Sequence, residues 1–256
     1  MKRVRKSQSP QSLVEYISKK PNATWGDMRK DCRKATKECL KKALEDQGML
    51  CAYCEQKLQL PTKDSSSSQV EHFHPKSDKT TDHNWGLDWQ NMLAACNVGH
   101  ELSKEEKEQY PKQVYLHCDA SKRDYAGCLL NPLLIPAFPN LFLVAESTGY
   151  IKANKKTCSE VAIPGNTYET TFELVTHTIE ILNLNCSLLA EARREYLKEA
   201  SEHMEQVREM KYDSEQVIAV LGNYYFDNGF PEYFTSLRSL WGEKFDDYLK
   251  SIDYQG

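Results

Sequence analysis

Cys51-Ala52-Tyr53-Cys54 restricts the folding of this 256-residue chain more than any other feature. A C-x-x-C turn brings two thiolates to one point, and a tetrahedral metal site needs two further ligands from elsewhere in the sequence. The best completions are Cys96, in Ala94-Ala95-Cys96-Asn97, and Cys118, in Leu116-His117-Cys118-Asp119, with His100 and His117 as substitute ligands. A structural zinc ion is therefore expected, and it ties residues 51, 54, 96 and 118 together. Use of Cys51 and Cys54 as a redox pair is the competing reading, but no thioredoxin-like βαβ pattern or Pro-rich loop surrounds them. Cys32, Cys39, Cys128, Cys158 and Cys186 stand singly and read as small buried apolar residues.

Free thiols in this number suit a reducing compartment, and cytoplasmic localisation is the expectation. No run of about 18 apolar residues is present, which excludes a transmembrane helix and any membrane role built on one. The basic start, Met1-Lys2-Arg3-Val4-Arg5-Lys6, leads into Ser-Gln-Ser-Pro and not into the apolar stretch of a secretory signal. The formal net charge of −4 is unevenly spread: residues 1–60 hold 14 Lys and Arg against 7 Asp and Glu, and residues 167–256 hold 8 against 17. A nucleic-acid footprint belongs at the front of such a chain, and the acidic tail suits contact with protein. Ordinary solvated helix faces are the plainer account of both.

Chemistry concentrates in Val70-Glu71-His72-Phe73-His74-Pro75-Lys76-Ser77. A carboxylate is the hard ligand that Mg²⁺ or Mn²⁺ prefers, and an uncharged imidazole is a base for water near neutral pH. Glu71 and His72 offer both, but adjacent side chains alternate across a strand, so a bend is required and Pro75 is the expected source. Asn91 is placed to hold a backbone carbonyl and so set the tilt of the histidine. Asp119, next to Cys118, can turn a second carboxylate toward the catalytic metal. Lys76, Lys122 and Arg123 are candidate phosphate contacts.

The remaining pattern is largely helical. Thr24 to Gly48 reads as one helix with Gly48 as its C′ stop. Residues 62–68 form a linker-like loop before a strand over 69–73. Leu87 to Leu93 reads as a short helix opening, Lys104–Lys112 as an exposed excursion, and Leu129–Pro139 as an irregular packed segment. Phe142–Ile151 resembles a hairpin turning at Ser147-Thr148-Gly149. Phe172, Val175 and Ile179 recur at helical spacing, followed by helices over 188–210, 214–225 and 231–252.

These elements resemble the HNH (ββα-metal) nucleases of the cysteine-containing type over roughly residues 48–125. The resemblance rests on Cys51/Cys54, Glu71-His72-Phe73-His74-Pro75, Asn91, and Cys96 with Cys118-Asp119-Ala120-Ser121-Lys122. It implies His72 as general base, Glu71 and Asp119 as ligands of a catalytic Mg²⁺ or Mn²⁺, and Asn91 as orienting residue. Two departures stand out. The second cysteine pair is split by a long insertion, and Asp119 and Arg123 replace the commoner Asn or His and Gly. Met1-Lys2-Arg3-Val4-Arg5-Lys6, Leu50-Cys51-Ala52-Tyr53-Cys54, Val70-Glu71-His72-Phe73-His74-Pro75-Lys76-Ser77, His117-Cys118-Asp119-Ala120-Ser121-Lys122 and Leu130-Asn131-Pro132-Leu133 together further resemble the PtuB family, the HNH subunits of Septu anti-phage systems, some of them retron-linked. That resemblance implies a PtuA-like ABC/SMC-type ATPase partner, a defence role and, where a retron is present, contact with its reverse transcriptase and msDNA.

The expected fold is thus α+β and mostly α. A basic N-terminal helical region (1–48) leads into a zinc-stapled ββα-metal (HNH) nuclease core (49–165) and an acidic helical region (166–256). The expected activity is hydrolysis of phosphodiester bonds in nucleic acid, DNA before RNA. The rival is a zinc-stabilised adaptor with a vestigial nuclease motif.

Overall fold

A computed structural model describes residues 1–62, 67–97, 108–109 and 111–256. His100, most of the loop expected at 62–68 and much of the Lys104–Lys112 excursion lie outside the described residues.

The basic front of the chain folds as three helices: α1 (Gln11–Lys19), α2 (Trp25–Asp31) and α3 (Arg33–Asp46). Pro10 precedes α1 with its fixed φ, and Thr24 opens α2 with a capping box closed by Asp27. The single helix expected from Thr24 onward is interrupted at Cys32, whose φ of −141° and ψ of 73° leave the helical region. α3 buries Ala35, Cys39, Leu40, Ala43 and Leu44 on one face. It stops at Gly48, where φ is +67° and a side chain would strike the Phe230 ring, so only glycine suits the position.

A two-stranded antiparallel sheet follows: β1 (Ser68–His72) pairs with β2 (Met92–Cys96) in the register Ser68↔Cys96 to His72↔Met92. β2 corrects the helix opening expected over 87–93. Asp88 caps a single 3₁₀ turn, Trp89–Asn91, and the chain then extends at once. All five β2 residues are buried, so the strand shows no alternation and its period could not be read. Two short helices, α4 (Lys112–Tyr115) and α5 (Asp119–Lys122), come next. The expected hairpin is present as β3 (Phe142–Val144) and β4 (Ile151–Ala153), with Gly149 in its turn at φ +67°.

The C-terminal half is helical: α6 (Lys155–Glu160), α7 (Thr171–Ile181), α8 (Ser187–Arg208), α9 (Ser214–Phe226) and α10 (Phe234–Ser251), the last broken at Gly242. Two apolar cores hold these elements. The larger draws on α1–α3, the cysteine turn, the β1–β2 hairpin, β3, β4 and α7, and so runs across the boundaries expected near residues 48 and 165. The smaller unites α8, α9 and α10 around Phe234, Trp241 and Phe245. No helix among the described residues is long and apolar enough to cross a membrane.

Candidate active site and metal centre

The cysteine turn is bonded directly to β2. Ala52 N–H donates to Ala94 O at 3.0 Å. The buried Gln47 amide gives its N–H to Leu50 O and Ala94 O and accepts from Ala94 N–H, so it fastens the end of α3 to the same strand. Cys96 closes β2, and Cys118 stands just ahead of α5. The sulfurs of Cys51, Cys54, Cys96 and Cys118 are all buried and lie within 4.8 Å of one another. Cys51 and Cys118 are 3.8 Å apart and Cys54 and Cys96 3.7 Å. A tetrahedron with Zn–S arms of about 2.3 Å has edges of roughly 3.8 Å, so this donor set fits zinc. His117 is not needed: its Nδ1 faces Tyr115 O at 2.8 Å and its Nε2 faces Gln56 Oε1 at 3.2 Å. Cys118 has φ +55°, a conformation that costs on the order of 1–3 kcal/mol, and its N–H is anchored on Leu182 O.

The staple places α5 over β1. Gln69 and Glu71 share one strand face, and Gln69 Nε2 donates to Asp119 Oδ2 at 2.7 Å. Glu71 is buried there, with Tyr53 Oη donating to its Oε1 at 3.2 Å and Lys122 Nζ 2.8 Å from the same oxygen. Burial and the neighbouring Asp119 carboxylate push Glu71 up to about 8, against the pull of Lys122. Asp119 itself is only half-buried. Two carboxylates side by side, one open to solvent, form an oxygen donor set suited to Mg²⁺ or Mn²⁺.

His72 occupies the opposite face, at the last residue of β1. Its Nε2 lies 3.1 Å from Gly86 O, and its ring meets Trp25 edge-on at 4.9 Å. A carbonyl can only accept, so Nε2 carries the hydrogen and Nδ1 keeps its lone pair. Among the described residues Nδ1 takes no hydrogen bond. Burial and the positive charge of Lys76 push His72 down to about 4, which leaves the imidazole neutral at pH 7.

The strand ends there because Asn91 takes over its hydrogen bonding. Phe73 N–H donates to Asn91 O. The Asn91 side chain accepts from His74 N–H at 2.7 Å and donates to His74 O and Trp85 O at 2.9 Å each. This amide clips both ends of the 74–85 loop and presents Gly86 O to His72. The bend therefore falls at Phe73-His74, ahead of Pro75.

Lys122 is buried beneath β1, where it donates to His72 O and Phe73 O at 3.1 Å each, so its ammonium pins the strand end and does not face solvent. Lys76 and Arg123 are exposed beside the site. His74 pairs with Asp78 at 2.6 Å. Sequence reading missed Gln69, Tyr53, Gln47, Trp25 and Gly86. Gln69 carried a usable signal, since it lies two residues before Glu71 and must share its face. The others are set by tertiary packing alone.

No family model matches the chain. An Escherichia coli protein named "Retron Ec83 putative HNH endonuclease" is 34% identical over 210 residues, covering 77% of this chain and 79% of that protein. This chain belongs to the HNH endonuclease family. The HNH assignment agrees with the β1–β2 hairpin, the short α5 and the acid, histidine and asparagine gathered between them.

Proposed function

We propose that this protein is a metal-dependent endonuclease that hydrolyses nucleic-acid phosphodiester bonds, DNA before RNA, as the effector of a retron-linked, Septu-type anti-phage complex. The observation that carries the reading is the His72–Gly86–Asn91 arrangement opposite the Glu71–Asp119 carboxylates. It supplies a neutral, oriented base and a hard-cation donor set on one stapled hairpin.

In this mechanism Nδ1 of His72 takes a proton from the attacking water, while the Nε2 hydrogen bond to Gly86 O holds the tautomer and aim. Asn91 acts through the loop as a positioning residue. Glu71 and Asp119 would hold the divalent cation, which offsets charge on the phosphate and on the leaving oxygen when bound. Lys122 fixes the strand end that carries His72, and exposed Lys76 and Arg123 contact neighbouring phosphates. Cys51, Cys54, Cys96 and Cys118 hold zinc and keep Asp119 over Glu71. The partners under this reading are a PtuA-like ABC/SMC-type ATPase and the retron's reverse transcriptase and msDNA. The retron in the relative's name supports that context.

The test is cleavage of DNA and RNA by wild type, His72→Ala and Glu71→Ala, with and without Mg²⁺ or Mn²⁺, at matched zinc content. Cleavage that depends on the added metal and is lost in both variants is the expected result. A folded His72→Ala protein that cuts as fast as wild type overturns the assignment and leaves the adaptor reading. Purification from the native host, followed by identification of what accompanies the protein, tests the ATPase and retron partners.

A further inference from the structure

The surface that leads away from His72 is cationic and concave. Trp25, whose ring touches His72, is the first residue of α2, and Asn84 from the 74–86 loop donates to Ala23 O just ahead of it. From there a groove of about 590 Å³ runs along α2 and α3, lined by Gly26, Arg29, Lys30, Arg33, Thr36 and Lys37. Its volume falls in the range of small-molecule pockets, but such pockets are mostly apolar and this one is walled by four cations.

Arg29, Lys30, Arg33 and Lys37 are exposed, and among the described residues none of them forms an ion pair or a side-chain hydrogen bond. The nearby acids are engaged elsewhere. Asp27 closes the capping box with Thr24, Asp31 pairs with Lys20 at 2.6 Å, and Glu38 accepts from Ser12. Four like charges along one groove repel one another unless a polyanion lies in it. Arg33 and Lys37 stand one turn apart on α3, with Arg29 and Lys30 on the preceding helix. This spacing follows a phosphate backbone over several nucleotides and does not suit a single anion.

We propose that this α2–α3 groove is the track for the nucleic-acid backbone flanking the scissile phosphate, with Arg29, Lys30, Arg33 and Lys37 binding its phosphates. The inference rests on the nuclease reading for its orientation toward His72. Its test does not depend on cleavage.

The variant is Arg29→Gln/Lys30→Gln/Arg33→Gln/Lys37→Gln, in which glutamine removes the charge but keeps an unbranched polar side chain and comparable helix propensity. The control is Lys152→Gln/Lys155→Gln/Lys156→Gln, which removes three exposed cations from a separate groove beside β4 and α6. Zinc content and thermal unfolding establish that both fold. Binding to a 30-base-pair DNA duplex, the matching RNA duplex and single-stranded DNA is read by fluorescence anisotropy from 50 to 300 mM KCl, with no divalent metal added.

The groove variant should bind at least about tenfold more weakly on one or more of these probes. Its log–log salt slope on DNA duplex should be shallower by about 0.9 for each phosphate that the protein no longer neutralises. The probe whose binding weakens most identifies the substrate form. Binding within twofold of wild type on all three, an equal weakening in the control, or a change confined to self-association with the acidic helices of a second copy overturns the proposal. The two readings fail separately: if His72→Ala cuts normally while the groove variant loses binding, catalysis is misassigned and the track stands. If wild type cuts with metal and the groove variant binds normally, only the track falls.

Discussion

Asn91 uses three hydrogen bonds to hold a loop that touches His72 through a carbonyl, so under the proposed mechanism its effect on catalysis is indirect and geometric. Removing a buried amide leaves the His74 and Trp85 backbone groups without partners, at about 1–3 kcal/mol. Asn91→Ala should therefore lower the thermal midpoint and cut kcat on the order of 100-fold, the scale expected when a catalytic group shifts by about 1 Å. An unchanged kcat in steady-state cleavage assays would show that Gly86 needs no such clip. Lys6 invites a second test. Its ammonium donates to Met92 O at 2.7 Å and lies over the Trp89 ring, and burial pushes it down to about 7. Between about pH 7 and the ordinary lysine range near 10.4 the unfolded chain binds the extra proton, so stability contributed by this position rises with pH. Urea unfolding at pH 7, 8 and 9 should show wild type gaining on Lys6→Met as pH rises. The cysteine titrations common to both proteins cancel in that difference, and a flat difference would refute the sign.

At the scale of elements, the cysteines, β1, the β3–β4 hairpin and the later helices were legible because each has a local signature: a spacing, a capping residue or a period. β2 was not legible, since five consecutive buried residues carry no alternation and its start copies a helix cap at Asp88. Of the candidate site, Glu71, His72, Asn91 and Asp119 were singled out from the sequence, and the structure gathers them around the β1–β2 hairpin, Asp119 from the start of α5. The role of Lys122 could not be read, because burial under a strand leaves no mark on an Asp-Ala-Ser-Lys motif. The staple gives this scale its prediction. Zinc binding in small metallodomains is worth about 10–16 kcal/mol of apparent free energy, comparable to the whole stability of a domain. Chelation or Cys54→Ala should thus unfold the β1–β2 hairpin and release Asp119 from Glu71. Cleavage and tertiary near-ultraviolet dichroism should disappear together. Retention of both after measured zinc loss would make the centre dispensable.

At the scale of the whole molecule, the positive charge lies beside the proposed active site, and the acidic helices are joined to it through the cysteine turn. That junction is Glu55, one residue past Cys54 and buried at φ +66°. Its carboxylate accepts from Thr235 N–H at 2.8 Å and from Thr235 Oγ1 at 2.6 Å, and its carbonyl accepts from Tyr233 N–H at 3.0 Å. One residue therefore couples the metal centre to the start of α10 and, through it, to the smaller core. Tyr233 enters α10 at φ +49°, a strained entry that these bonds hold in place. Glu55→Ala deletes the acceptor and leaves the Thr235 donors buried, which should destabilise the fold by about 2–4 kcal/mol, with a matching fall of several degrees in the thermal midpoint. The four sulfur ligands remain, so zinc content should be unchanged. Limited proteolysis should then cut first within α8–α10, because the smaller core has lost its most buried polar tie to the larger one, leaving bonds such as Lys57 to Glu232 and Val144 to Ser239, and opens at lower free energy. A digestion pattern identical to wild type would mean that apolar packing around Phe234, with the Lys57 bonds to Glu232 and Phe230 O, couples the acidic helices to the cysteine turn without Glu55.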